Sequence, residues 1–310
     1  MLTFRYHVVT LVAVFLALAV GIVVGSTFVG PAVVESLRNQ VEDVSATLDE
    51  RRAANERLSS RNDELQETIE QVGPYAVQGR LDGRSVVVVA DRGVDEGVLE
   101  DTDTLLQSAG ATAPGTLWLE PSWALSDEEE RGRLADTLGI TGSEPETMQR
   151  QAWRQVLADL AEGAPEDGAT QALIDEGFLD FQSVGEGANL LSDLADEQFQ
   201  VMLVSGPASE LGDGGHVLRM AEVVADGGPP LLVAEAYVAD DDGPERGETV
   251  RPIRDDAELA AEVATVDDLE SRTGRLAAVL GQSDLGRDVV GHYGYGPGAE
   301  RPLPEGPQPS

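Results

Sequence analysis

The chain has 310 residues, no cysteine and no lysine, and 57 acidic against 21 basic residues give a net charge of −36. Disulfides, zinc ribbons, iron–sulfur ligation and cysteine nucleophiles are excluded, and so is a Walker lysine. Nucleic acid is not an expected partner, because phosphate binding needs a positive surface. Carboxylates spread along a chain are not a metal site, and they fit a solvated surface in a salty exterior, where ions screen self-repulsion.

Val8 to Val29 is an uncharged run of 22 residues. As a helix it spans the roughly 30 Å hydrocarbon core of a bilayer. Residues 1–30 are therefore read as one transmembrane anchor. Arg5 precedes the run, and Arg38, the first basic residue after it, lies among Glu35, Glu42 and Asp43. That bias places the N-terminus in the cytoplasm and the remainder outside the cell membrane, as a single-pass protein. The competing reading is a secretory signal cleaved near Val24-Gly25-Ser26, although a signal's apolar region is usually shorter. Ala13, Ala17, Gly21 and Gly25 form a stripe of small residues on one helix face, where two helices can approach closely.

Gly30-Pro31 is expected to end the anchor and open a new helix. Residues 31–73 then carry a heptad register. Val34, Val41, Leu48, Asn55, Asn62 and Ile69 share one seam position; Leu37, Val44, Arg51, Leu58, Leu65 and Val72 share the other. The pattern predicts a coiled-coil stalk, about 60 Å long for some 40 helical residues, ended by Gly73-Pro74. Paired Asn at the seam favours two parallel strands in register, hence a homodimer through Ala13, Ala17, Gly21, Gly25, Leu37, Val41, Val44, Leu48, Asn55, Leu58, Asn62, Leu65 and Ile69. The alternative is an amphipathic helix folded back on the downstream domain.

Residues 74–290 alternate strand and helix signals. Ser85–Ala90 is an all-apolar, β-branched run, as in a central parallel strand. Further strands are expected at 116–119, 199–204 and 230–234. Helices are expected at 95–108, from a capping box of Ser126 and Glu129 to Leu138, at 146–162 and 169–176, over 216–224 and at 267–280. The fold class is α/β: a transmembrane helix, a stalk, then an open, mostly parallel, Rossmann-like sheet with helices on both faces. Residues 291–310 read as an irregular Gly/Pro-rich tail.

In such sheets, ligands bind beyond the carboxyl ends of strands. Asp91, ending the first strand, suits a metal or a hydroxyl, but capping the following helix or turn is its commoner role. Gly93 and Gly97 lack the phosphate-loop spacing. Ser205 has no evident base in the sequence and no nucleophile elbow around it, so no catalytic residue is assigned and an enzyme is not expected. His216 and Met220 are spaced i, i+4 on one helix and could share a soft metal such as Cu(I); core packing is the competing role. No other cofactor is indicated. His7 borders the anchor, and His292 reads as a loop residue packing beside Tyr293 and Tyr295. Asp240-Asp-Asp-Gly243 lacks the ligand spacing of a calcium loop.

Two segments carry a resemblance. The opening, Phe4-Arg-Tyr-His-Val-Val-Thr through Gly21-Ile-Val-Val-Gly-Ser26, resembles that of the actinobacterial MctB-type copper transporter family. So does the end, from Thr265-Val-Asp-Asp-Leu269 through Gly274-Arg-Leu-Ala-Ala-Val-Leu280 to Gly291-His-Tyr-Gly-Tyr-Gly-Pro-Gly298. The resemblance implies an envelope protein of copper homeostasis, proposed to help move copper outward. Some relatives look instead like bitopic partners of a cytoplasmic division factor, which implies a cytoplasmic or envelope protein partner. One membrane helix cannot line a pore alone, and no run of alternating strands suggests an outer-membrane barrel. No ligand set is carried over from the family.

Overall fold

The computed structural model describes residues 2–183, 191, 199–212, 214–238, 243 and 245–305. It divides into two units, Met1–Leu65 and Gln66–Ser310. In the first, the backbone is helical throughout its described length, as part of α1 (Leu2–Val77). Phe4–Gly25 is long and apolar enough to cross a membrane. The expected break at Gly30-Pro31 is absent, and the helix also passes Gly73-Pro74. Proline's fixed φ is helical, so each Pro costs one backbone hydrogen bond without forcing an end. Near Pro74 the last turn is held by apolar burial: Val77 is fully buried, and Ile69 and Ala76 pack on the cluster around it.

The second unit is a seven-stranded sheet. Its strands are β1 (Ser85–Asp91), β2 (Gly115–Leu119), β3 (Leu179–Ser183), β4 (Phe199–Ser205), β5 (Leu231–Glu235), β6 (Val263–Val266) and β7 (His292–Tyr293). Their order is β3-β2-β1-β4-β5-β6-β7. All pairs are parallel except β2–β3. The order reverses between β1 and β4, the switch point of a doubly wound fold.

Strand alternation sorts the core into two layers. Val87, Val89, Leu117, Val201, Leu203 and Val233 face a cluster closed by α3 (Glu128–Leu138), α4 (Pro145–Ala161), α5 (Ala169–Asp175), α6 (Gly215–Ala225), α7 (Arg251–Asp255) and α8 (Ala257–Glu262). Val86, Val88, Ala90, Met202, Leu232 and Ala264 face α2 (Glu96–Ser108) and α9 (Arg272–Leu285). Apolar burial on both faces is why the central strands read as unbroken hydrophobic runs.

Several expectations move. The capping box is Asp127 with Glu130, one residue later than expected; the acidic run 128–130 offers two registers and Asp caps as well as Ser. The last helix begins at Arg272, capped by Ser271, because Val263–Val266 is a strand and Asp267-Asp268 its exit turn. β3, β6, β7, α7 and α8 were not anticipated. The tail is not irregular throughout: His292 and Tyr293 are buried and pair with β6.

Candidate functional site

Asp91 is the last residue of β1 and Ser205 the last of β4; both are buried, and the pair follows the Ala90–Val204 register. Ser205 Oγ donates to Asp91 Oδ2 at 2.6 Å, and Ser209 Oγ donates to the same oxygen at 2.7 Å. His216, in the first turn of α6, brings Nε2 to 2.9 Å from Oδ1 and 3.0 Å from Oδ2. A carboxylate only accepts, so this nitrogen carries the proton.

Two loops close over the cluster. Glu210 N–H donates to Arg92 O at 2.8 Å, so the loop after β4 lies on the loop after β1. Gly93, at φ +98°, allows this approach: a Cβ there would sit 2.0 Å from Ala208 O. Arg92 pairs with Glu120 at 2.7 Å and with Asp180, and its guanidinium lies 4.6 Å from the centre of the Trp118 ring. The place where doubly wound folds admit a ligand is thus filled by the chain itself.

The arrangement corrects two expectations. Asp91 does not cap α2, which is capped by Asp95 through Gly97 N–H at 2.8 Å; it holds hydroxyls instead. Ser205 does have titratable partners, Asp91 directly and His216 through it. Yet a hydrolytic relay needs the imidazole between the hydroxyl and the carboxylate. Here the carboxylate is central, and Ser205 and His216 are 1% and 3% exposed. The geometry builds a buried polar pin, in which Asp91 itself accepts from the serine hydroxyl and no imidazole lies between them.

His216 and Met220 do share helix α6, with Met220 wholly buried in the apolar layer. The Nε2 of His216 is committed to Asp91. Among the described residues no group of three or more His, Asp or Glu is placed to hold a metal ion. His7 lies on the exposed surface of α1. His292 is on β7, its Nδ1 2.9 Å from Thr265 Oγ1 and its Nε2 3.2 Å from Ala260 O; burial, aided by Arg254, lowers its pKa. Asp240 to Asp242 lie outside the described residues.

A second buried polar centre was missed by sequence reasoning. It joins the ends of β5 and β6 to the tail. Arg254 and Asp267, both almost fully buried, pair at 2.7 Å. Arg254 also donates to Thr265 Oγ1, Tyr293 O and Pro297 O, while Asp267 accepts from Tyr295 and Gly296 N–H at 2.8 and 2.9 Å. Glu235 accepts from Gly247 and Thr249 N–H at 2.7 and 2.8 Å, but burial still raises its pKa. Burial raises Asp268 too, and lifts Glu270 to about 6. The only sequence signal was the Thr265–Leu269 segment occurring together with a Gly-rich tail.

One helix apolar enough to cross a membrane, followed by a doubly wound α/β unit with a self-filled switch point, defines the class of protein. The chain belongs to the family described as copper transport outer membrane protein, MctB, whose profile matches residues 1–304. Similar proteins include the copper transporter MctB of Mycobacterium bovis and that of Mycobacterium tuberculosis, each 29% identical over 96% of this chain and 98% of the relative. The copper transporter MctB of Mycobacterium leprae is also 29% identical, with the same coverage.

Proposed function

We propose that this chain is an envelope-anchored, non-enzymatic protein of copper transport, acting in copper efflux or homeostasis. The observation that carries the reading is the family match across residues 1–304, joined by relatives named copper transporters over almost their whole length. In this reading Phe4–Gly25 anchors a single-pass protein with its N-terminus in the cytoplasm and its α/β unit outside. His216 and Met220 are the soft-ligand pair to test, and copper would have to displace Asp91 from the imidazole. The test is a Cu(I) and Cu(II) competition titration of the full chain in detergent, beside a His216→Ala/Met220→Ala variant. Stoichiometric, sub-micromolar binding lost in the variant supports direct copper handling here. Only weak, salt-sensitive association would defeat it and leave an indirect role.

A second reading is a parallel dimeric scaffold that works through a cytoplasmic or envelope protein partner. One observation favours it: Val34, Leu37, Val41, Val44, Leu48, Leu58 and Leu65 are all exposed in the single chain, in heptad register. Such a stripe is normally covered by another helix. Ile69 is different, since it packs on the α/β unit's own core. The chain has no cysteine, so Val41→Cys introduces a single thiol; disulfide dimers in membranes support the pairing, and monomer alone refutes it.

A further inference from the structure

We infer that the cavity between α2 and the β2–β3 edge of the sheet is a binding site for a small organic cation bearing a guanidinium or primary ammonium group. The inference is independent of copper. The cavity measures about 320 Å³ and is lined by Glu96, Leu99, Glu100 and Asp103 of α2, with Trp118 of β2 and Gln182 of β3 among the facing residues. That volume lies in the range of small-molecule sites.

Asp103 points to the ligand. It is 1% exposed, and its Oδ1 has no hydrogen-bond partner among the described residues. A buried carboxyl without a donor is costly unless a cation or a donor completes it. Glu96, Glu100 and Asp103 are spaced i, i+4, i+7, which puts three carboxyls on one face of α2. The first two are exposed and the third is buried, so two carboxylates stand at the mouth and a carboxyl group lies at the floor. Among the described residues, no basic side chain lines the cavity.

The wall fits an alkyl chain ending in N–H donors. Leu99 and Trp118 are apolar, and Trp118 is fixed by its Nε1–H donating to Gln182 Oε1 at 3.1 Å. The Trp118 ring already carries one guanidinium, that of Arg92, which is committed to Glu120 and Asp180. A bare metal ion fits poorly: the space is many times larger than an ion, and no group of three acidic or imidazole ligands converges there among the described residues.

The experiment is calorimetric titration of the full chain in detergent with agmatine and with putrescine. Tetramethylammonium, MgCl2 and ionic-strength-matched NaCl serve as comparisons. The expected result is one agmatine or putrescine per chain, no comparable heat from tetramethylammonium or Mg²⁺, and affinity reduced about tenfold or more in Asp103→Asn. Glu100→Arg, at an exposed position, should abolish binding and keeps the test decisive should the Asp103 variant fail to fold. Binding no different from NaCl, equal binding of Mg²⁺, or agmatine affinity unchanged in either folded variant overturns the inference.

Discussion

At the scale of single residues, the buried carboxyls carry most of the information. Asp91 satisfies Ser205, Ser209 and His216 together. Asp91→Ala would deprive the buried Ser205 and His216, and the half-buried Ser209, of their shared acceptor, at a cost of about 2–4 kcal/mol. Thermal or urea unfolding should show a marked loss, with Asp91→Asn falling between Ala and the native residue. Asp103 acts in the opposite sense. Burial alone raises it from 3.8 to about 7. The folded chain then holds a proton that the unfolded chain releases, so stability is fully present below pH about 4 and is lost as pH rises through about 7. The Asp103 contribution to the melting temperature should fall between about pH 4 and pH 7 and level off above that, and Asp103→Asn should flatten that slope. An unchanged slope in the variant would show that Asp103 is not its source. These roles were only partly legible beforehand. Asp91 and Ser205 were visible as strand ends. Nothing in the spacing of residues 91, 205 and 216 says that they meet, since sheet pairing joins segments over a hundred positions apart.

At the scale of elements, the tail and the first helix show what pattern reading catches and what it misses. The Gly-rich stretch from Gly291 resembles loose chain, yet it is pinned by Asp267 and Arg254. Gly294 sits at φ +123°, and a Cβ there would lie 2.2 Å from the Asp267 carboxylate. Gly294→Ala should therefore destabilise by about 1–3 kcal/mol and raise hydrogen exchange over residues 292–297, whereas a loose tail would not respond. The edge strand β3 escaped notice because only Leu179 at its start is fully buried, so it shows no hydrophobic run. The heptad register of α1 was plain, because a 3.5-residue period needs no tertiary information. Its partner is another matter. Leu58→Pro should convert the proposed dimer to monomer in light scattering of the detergent-solubilised chain while leaving the α/β unit's melting transition in place.

At the scale of the whole molecule, the net charge of −36 sets the response to salt. Self-repulsion among carboxylates opposes compaction and is screened within about 3 Å at 1 M salt. The melting temperature of the chain should rise between 0.1 and 1 M NaCl, most steeply at the low end. A flat profile would mean that self-repulsion of the acidic surface does not limit its stability.

The amino-acid sequence alone established the apolar helix, the heptad stripe, the α/β class and the family. Each is a local periodicity, a composition or a pattern of residues along the chain, and such signals survive without knowing what packs on what. Tertiary structure decided that α1 runs unbroken past two prolines and that Ile69 is spent on the chain's own core. It also decided that the switch point is filled by Asp91, Ser205, Ser209 and His216, and that Asp103 faces a cavity without a partner. Those outcomes depend on which strand ends become neighbours and which side chains lose water. Both are set by pairing between distant segments, and no short-range pattern encodes them.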